Sequence, residues 1–299
     1  MTGVARLAGV GVWSGQLRSD APEVIDAARE LDALGYTALW IPGGAGGDIL
    51  AECGRVLDAT ERAVVATGIL NLWMHDAADV ASGHAALTHA HPDRFLLGVG
   101  VSHSRLVDRD EPGRYTKPID RTRAYLDALD ATSPPVPRDE RCLAALGPRM
   151  LELARDRTAG AHPYFVPVEH TAFARDALGD GPLLAPEQMV VLERDASAAR
   201  EIARATMALY LQLPNYTNNL RRFGVTDDDL ADGGSDRLVD AIVAWGDEAA
   251  IAQRVQAHLD AGADHVCVQV LTAGGAPGGG VPLDELRALA PALIELRRA

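Results

Sequence analysis

Glycine, tryptophan and histidine recur directly after the apolar runs of this chain, where carboxylates are scarce. Three histidines in such positions, His75, His103 and His162, could titrate near neutral pH and transfer a proton. Glycines allow a backbone to approach a ligand closely, and indole rings can flank a flat group. These residue types predict a bound planar cofactor that performs the chemistry while the protein orients it.

The sequence does not contain the residue patterns of several other kinds of catalytic or binding site. No pair of acids stands out for glycoside hydrolysis, and no G-x-S-x-G motif supplies a serine nucleophile. His84 and His89 fall in a predicted helix but do not share a face well, so no metal site is predicted. Gly9-Val10-Gly11 lacks the third glycine of the dinucleotide fingerprint, which makes that interpretation a weak one.

Eight short apolar runs, separated by helical patterns, must position these residues. The runs are residues 7–13, 36–41, 63–69, 95–101, 141–146, 161–166, 189–192 and 265–271. Parallel strands need crossover connections, and eight strand–helix units are the number that closes a barrel. The pattern therefore predicts an α/β fold, a (β/α)₈ TIM barrel, with residues 1–299 forming one domain. A doubly wound open sheet is the main alternative.

Two stretches interrupt this rhythm. An insertion at about residues 212–245, between the seventh and eighth strands, is expected to hold short helices and to act as a lid or an interface. Residues 274–280 are rich in glycine and follow the last strand, where barrels often place a flexible binding loop.

Residues that follow the strands of a barrel converge on one face, where its active site lies. The candidate cofactor contacts on this face are Trp13, Gly43, Gly44, Asn71, Gly100, Ser102, His103, Leu146, Gly147, Pro148, Arg149 and His162. Gly147-Pro148 begins a predicted helix, whose free N–H groups could hold a phosphate. An ordinary helix start accounts for the same two residues equally well.

The charge balance limits the partners of the chain. With 42 acidic and 28 basic residues, its formal net charge is −14, which disfavours nucleic acid and anionic membranes. No apolar run approaches the ~20 residues of a membrane span, and residues 1–15 lack the pattern of a signal peptide. Cys53, Cys142 and Cys267 are expected to be buried small hydrophobic residues. These features favour a cytoplasmic protein.

Two segments make the chain resemble a known family. Residues 66–71 (ATGILN) and 91–103 (HPDRFLLGVGVSH) resemble the bacterial luciferase-like monooxygenase superfamily. More narrowly, they resemble its actinobacterial branch of F420-dependent (deazaflavin) oxidoreductases. Residues 146–154, 160–164 and 261–266 extend the resemblance over essentially the whole chain.

This resemblance implies a cofactor and a place for it. It implies coenzyme F420 as the hydride carrier, with FMN as the alternative, and a small organic substrate. In relatives, a non-prolyl cis peptide at the end of the third strand forms a bulge behind the cofactor ring, which here corresponds to Gly68-Ile69, next to Thr67. Trp13, Asn71 and His103 are expected to flank that ring. The cofactor tail would lie near residues 147–149, and relatives are often homodimers.

Two departures from the family pattern bear on catalysis. Sugar-phosphate dehydrogenases of the family carry Asp-His where this chain has Gly43-Gly44, and a glutamate where it has His103. His103 is therefore the first candidate for proton transfer, and His75 is the second. The predicted function is an F420-dependent oxidoreductase. An FMN-dependent monooxygenase and a non-catalytic cofactor-binding barrel are the alternatives.

Overall fold

The computed structural model describes residues 7–43, 47–109, 111–274 and 280–297. Along these residues, ten strands alternate with α-helices. The strands are β1 (Gly9–Trp13), β2 (Ala38–Gly43), β3 (Val64–Asn71), β4 (Phe95–Gly100), β5 (Arg141–Leu143), β6 (Gly160–Ala161), β7 (Leu183–Leu184), β8 (Glu187–Val191), β9 (Val243–Trp245) and β10 (His265–Val270). The helices are α1 (Pro22–Leu34), α2 (Ile49–Ala59), α3 (Ala77–Ala90), α4 (Ser104–Val107), α5 (Pro118–Asp130), α6 (Pro148–Arg157), α7 (Val168–Leu178), α8 (Ala196–Tyr210), α9 (Pro214–Arg221), α10 (Asp227–Leu230), α11 (Asp236–Ile242), α12 (Glu248–Asp260) and α13 (Leu283–Leu293).

The strands form one curled sheet in the order β7-β6-β5-β4-β3-β2-β1-β10-β8-β9, with every pairing parallel. β7 and β8 belong to one extended stretch. Its backbone hydrogen bonds connect β6 on one side with β10 on the other. Ala185 N donates to Ala161 O on one side of this stretch. On the other side, Asp264 N donates to Leu184 O. The predicted α/β class is therefore confirmed, and the sheet curls as the predicted (β/α)₈ barrel requires, but within the described residues it has ten strands in place of the eight expected.

The first strand–helix unit shows how the sequence specifies its elements. Pro22 occupies the first turn of α1, where a missing N–H costs nothing, and Gly35 ends the helix with a φ of 100°. Val24, Ala28 and Leu31 form the buried stripe of α1.

The structure corrects three of the predicted strands. The seventh was expected at residues 189–192, but its stretch begins at β7, and Pro186 interrupts it because proline has no N–H to donate. The sixth ends at Ala161 instead of residue 166, since Pro163 follows and Phe165 adopts a φ of 60°. The fifth stops at Leu143. The shortened fifth and sixth strands leave more residues free to line the face above them.

The segment at about residues 212–245 contains α9, α10 and α11, in line with the short helices expected there. It also contains β9, which pairs with β8 and was not predicted. Thr226 caps α10 in a capping box with Asp229, so this acidic side chain serves as a helix cap. Most of the glycine-rich segment, residues 275–279, lies outside the described residues.

Large polar and aromatic side chains fill the barrel beneath the strand ends. Trp40 on β2 is fully buried, and its Nε1 donates to His265 Nε2 over 3.1 Å. The Trp40 ring also stacks on His162, with 4.2 Å between the ring centroids. Burial lowers the pKa of His162 to about 4 and that of His265 to about 3, so both rings are neutral at pH 7. None of the helices in the described part of the chain is long and apolar enough to cross a membrane.

Candidate active site

A cavity of about 710 Å³ opens above the carboxyl ends of β1 to β5, and residues of α8 and α9 cover it. Its lining is mainly apolar and aromatic. Ten of the predicted site residues line it: Trp13, Gly68, Ile69, Ser102, His103, Leu146, Gly147, Pro148, Arg149 and His162. The structure therefore brings together most of the residues selected from the strand ends.

A bulge in β3 forms part of the cavity wall. The peptide bond between Gly68 and Ile69 is cis, as the resemblance implied. The register of β3 shifts here against both of its neighbours, β2 and β4. Trp13 Nε1 donates to Gly68 O over 2.9 Å, so the indole of β1 is fixed against the bulge.

Glycines on the neighbouring strands make room for this bulge. A Cβ on Gly98 would lie 2.0 Å from Thr67 O, and a Cβ on Gly100 would lie 2.5 Å from Ile69 Cδ1. On the other side, a Cβ on Gly43 would lie 3.0 Å from Ile69 O. Gly43 and Gly100 were predicted to contact the cofactor, but neither lines the cavity. Their lack of a side chain accommodates the bulge instead.

Two further predicted cofactor contacts lie outside the cavity lining. Thr67 is buried, and its Oγ1 donates to Gly98 O over 2.7 Å. Asn71 is buried as well, and its Oδ1 accepts from Trp73 N, which shapes the turn after β3. Asn71 is therefore not placed to flank a ring in the cavity. Gly44 falls outside the described residues.

His75 lies in a separate cavity of about 390 Å³ between α2 and α3, together with Asp48 and Asp79. It does not line the larger cavity, so its predicted catalytic role finds no support. Within the described residues, no group of three or more His, Cys, Asp and Glu side chains is placed to hold a metal ion.

His103 follows β4 and lines the larger cavity. Its ring is tilted against that of Tyr216, with 4.8 Å between the centroids. Burial lowers the pKa of His103 to about 4, because a low-dielectric environment disfavours the imidazolium. At pH 7 the ring is therefore neutral, so it can form hydrogen bonds or accept a proton but is not an imidazolium acid.

His162 packs beneath the bulge in a defined tautomer. Its Nδ1 lies 2.7 Å from Ala185 O, and because a carbonyl oxygen only accepts, Nδ1 carries the proton. Its Nε2 is therefore an acceptor, buried and without a partner among the described residues. A Cβ on Gly68 would lie 3.3 Å from Nε2, which places His162 directly against the bulge.

Tyr164, Tyr210 and Tyr216 form an aromatic cluster on another wall. Their ring centroids are 5.2 to 6.1 Å apart, and Tyr164 also contacts Trp13 at 5.2 Å. Tyr164 Oη lies 2.7 Å from both Tyr210 Oη and Gln269 Oε1. An amide oxygen only accepts, so Tyr164 donates to Gln269 and accepts from Tyr210. The cluster thus joins β1 and β10 to α8 and α9.

Glu187 is a buried carboxyl group behind this cluster. Its Oε2 accepts from Phe165 N over 3.2 Å, and its Oε1 has no partner in the described part of the chain. Burial raises the pKa of Glu187 to about 8, so the group is neutral at pH 7. By holding Phe165, Glu187 fixes the loop that carries His162 and Tyr164.

The start of α6 and the end of α9 form a polar corner of the cavity. Pro148, the first residue of α6, has no N–H, and Met150 N and Leu151 N donate to Gly147 O, so the N–H of Arg149 is the donor that this helix start offers to a ligand. A Cβ on Gly147 would lie 2.9 Å from Arg222 Nη1, so the guanidinium is close to this turn. Asn219, one turn before Arg222, is 3% exposed, and neither of its amide atoms has a partner among the described residues. A helix N-terminus beside a guanidinium favours an anionic group.

The lining of the cavity is cationic although the protein is acidic. Arg105, Arg149 and Arg222 line it, and no Asp or Glu among the described residues does. The whole chain, by contrast, has 42 acidic and 28 basic residues. Because a cleft with charges of one sign attracts ligands of the opposite sign, the cavity is suited to a negatively charged ligand.

α9 supplies site residues that the sequence analysis missed. Asn215, Asn218 and Asn219 of α9 and Arg222, its C-cap residue, all line the cavity. Their spacing of i, i+3, i+4 and i+7 places them on one face of a helix. This polar face is the available signal in the sequence, whereas the length of the insertion by itself predicts only a lid or an interface.

Comparison with known proteins identifies the family. The family model of the luciferase-like monooxygenases matches residues 1–265. The chain therefore belongs to the luciferase-like monooxygenase family, a family of oxidoreductases, and the resemblance found in its sequence is confirmed. It is also similar to a protein of Mycobacterium tuberculosis named as a coenzyme F420-dependent oxidoreductase, with 25% identity over 162 residues. That match covers 54% of this chain and 45% of the relative, which is less than half of the relative's length.

Solved structures share the TIM-barrel fold across the whole chain. An F420-dependent secondary alcohol dehydrogenase, in complex with an F420-acetone adduct, has a TM-score of 0.74 at 14% identity and covers 97% of this chain and 99% of its own. The F420-dependent tetrahydromethanopterin reductase of Methanopyrus kandleri has a TM-score of 0.72 at 16% identity, with 96% and 99% covered. The FMN-bound 3,6-diketocamphane monooxygenase of Pseudomonas putida has a TM-score of 0.65 at 15% identity, with 98% and 100% covered. At these identities the likeness is evidence for the fold alone.

Proposed function

We propose that this chain is an F420-dependent oxidoreductase that transfers hydride between the deazaflavin and a small organic substrate. The observation that carries the proposal is a single cavity with the Gly68-Ile69 bulge in its wall and three arginines but no described carboxylate in its lining. Its volume of about 710 Å³ lies in the usual range for a ligand site. The bound deazaflavin would supply the hydride chemistry.

The residues of the chain would bind and orient that cofactor. Gly68 and Ile69 would support the flat ring, with Trp13 and His103 beside it. The first turn of α6, Arg149 and Arg222 would hold the negatively charged tail. His103, neutral at pH 7, would form a hydrogen bond to the ring or the substrate without adding charge.

The charge of the lining favours F420 over FMN. The tail of F420 carries a phosphate and further carboxylates, whereas FMN ends in a single phosphate. Three lining arginines therefore match the longer anionic tail better. The similarity to the mycobacterial protein named as F420-dependent supports the same choice. An FMN-dependent monooxygenase is the second candidate, because the FMN-bound monooxygenase shares the fold.

Equilibrium titrations with oxidised F420 and with FMN, followed by cofactor fluorescence, test this proposal. We expect F420 to bind more tightly than FMN. Arg222→Gln should weaken F420 binding by at least about tenfold, because a charged hydrogen bond contributes roughly 1.5–3 kcal/mol. Arg123→Gln is the matched control, since Arg123 pairs with Asp120 on the surface of α5 and does not line the cavity.

If Arg222→Gln and Arg123→Gln lose the same amount of F420 affinity, the proposed site for the cofactor tail is wrong. Binding of neither cofactor would contradict the function. A non-catalytic cofactor-binding barrel, the alternative of another class, would bind F420 but never reoxidise its reduced form with any substrate. We propose in addition that the protein forms a homodimer and is cytoplasmic. Its three cysteines are free and buried, which is compatible with the reducing environment of the cytoplasm.

A further inference from the structure

Four tyrosines line the cavity, and one of them differs from the others. Tyr164 and Tyr210 are hydrogen-bonded to each other. Tyr115 Oη lies 3.3 Å from both Ser102 O and Asn215 Nδ2, so it donates to the carbonyl and accepts from the amide. Tyr216, in contrast, has no hydrogen-bond partner for its hydroxyl among the described residues. Its O–H is therefore available to a ligand in the cavity.

Aromatic rings surround Tyr216. The centroid distances are 4.8 Å to His103, 5.4 Å to Phe165 and 5.6 Å to Tyr210. Burial, together with the nearby Tyr210 and Glu187, raises the pKa of Tyr216 well above its ordinary value. The phenol thus stays protonated at neutral pH and remains a donor, whereas the adjacent His103 carries no extra proton.

The entrance to the cavity is apolar. Leu106 on α4 is 45% exposed and Leu209 on α8 is 60% exposed, and both line the cavity. Met74 is the third large hydrophobic residue that is exposed in the described part of the chain, and it does not line the cavity. Two of three such side chains therefore lie where a substrate would enter, which favours an apolar molecule.

We propose that Tyr216 is the proton donor to the carbonyl oxygen of an apolar aldehyde or ketone, which is the substrate class of this site. In the step, a hydride from the reduced deazaflavin forms a C–H bond at the carbonyl carbon while the C=O π bond breaks. The oxygen takes the Tyr216 proton and becomes the hydroxyl of an alcohol. The deazaflavin would thereby be oxidised by two electrons and would release its N–H proton to water, and the Tyr216 phenolate would regain a proton from water at the entrance. The inference rests on the proposed function, which supplies the reductant.

The experiment compares the wild-type chain with Tyr216→Phe and Tyr125→Phe. Tyr125→Phe is the matched control, because the Tyr125 hydroxyl is also unpartnered within the described residues but lies outside the cavity. Each protein is loaded with oxidised F420 and titrated with cyclohexanone labelled with ¹³C at the carbonyl. A hydrogen bond to the ketone oxygen moves the carbonyl resonance downfield without turnover. Reoxidation of reduced F420 by the same ketone is then measured.

We expect a downfield shift and ketone reduction in the wild type and in Tyr125→Phe. Tyr216→Phe should lose the shift and reduce the ketone at least about a hundredfold more slowly, since a positioned general acid contributes 10²–10⁴-fold. An unchanged shift and rate in Tyr216→Phe would overturn the inference. A wild type that binds F420 but neither binds nor reduces the ketone would also overturn it while leaving the cofactor proposal intact. Failure of the wild type to bind F420 would contradict the proposed function as well.

Discussion

His103 shows what residue types and strand positions can and cannot predict. The sequence placed it after the fourth strand, and it does line the cavity. Its protonation state depends on burial by residues that are distant in sequence, such as Tyr216 on α9, and no local pattern reports that burial. The unpaired hydroxyl of Tyr216 was not predicted for the same reason, because hydrogen-bond partners become known only when the fold is assembled.

The lowered pKa of His103 leads to a prediction for the pH dependence of turnover. Because burial lowers this pKa to about 4, His103 does not change its charge between about pH 5 and 8. The pH profile of kcat/KM with cyclohexanone should therefore show no histidine ionisation in that range. An inflection near pH 6.5 that disappears in His103→Gln would contradict the assigned environment of His103.

The β3 bulge is the element that organises the site. Its cis bond was expected from the family resemblance, and the structure has it at Gly68-Ile69. The role of the adjacent glycines was not predictable, because it arises from contacts between strands that lie about thirty residues apart in sequence, as between Thr67 and Gly98. Sequence patterns identify strands well when they are long and apolar. They fail at β6, β7 and β9, which are too short to show a period.

Gly98→Ala tests this account of the bulge. The new Cβ would lie 2.0 Å from the backbone oxygen of Thr67, so β3 or β4 must shift. We expect a loss of about 1–3 kcal/mol in the free energy of unfolding, measured with urea, and weaker F420 binding. Gly15→Ala is the control, because its Cβ would meet only Pro42 Cγ, at 3.7 Å. If both variants unfold at the wild-type urea concentration, the proposed packing against the bulge is wrong.

At the scale of the whole molecule, the net charge and the distribution of charge give different information. The formal net charge of −14 was the basis for disfavouring nucleic acid as a partner. It did not indicate that the cavity is lined by arginines, because Arg105, Arg149 and Arg222 come from three different elements. The α/β class followed from the alternation of apolar runs and helices. The polar face of α9 over the strand ends required the structure.

Buried histidines predict how the stability of the whole chain depends on pH. His162 and His170 have pKa values lowered by burial to about 4, and His258 and His265 to about 3. In the unfolded chain they titrate near ~6.5, so below that pH the unfolded state binds more protons. Stability that is present above about pH 6.5 should therefore be lost as the pH falls towards 4, by up to ~1.4 kcal/mol per pH unit for each histidine. Urea unfolding at about pH 7.5, 6 and 5 measures this loss, and equal stability at all three would contradict the neutral buried state.

The most direct test of the central claim is the choice of cofactor. The purified chain is dialysed to equilibrium against an equimolar mixture of oxidised F420 and FMN, and the retained cofactors are quantified by their absorption spectra. A cationic cavity beside the β3 bulge predicts that F420 is retained in clear excess, at about one molecule per chain. Retention of FMN in excess, or of neither cofactor, would contradict the account.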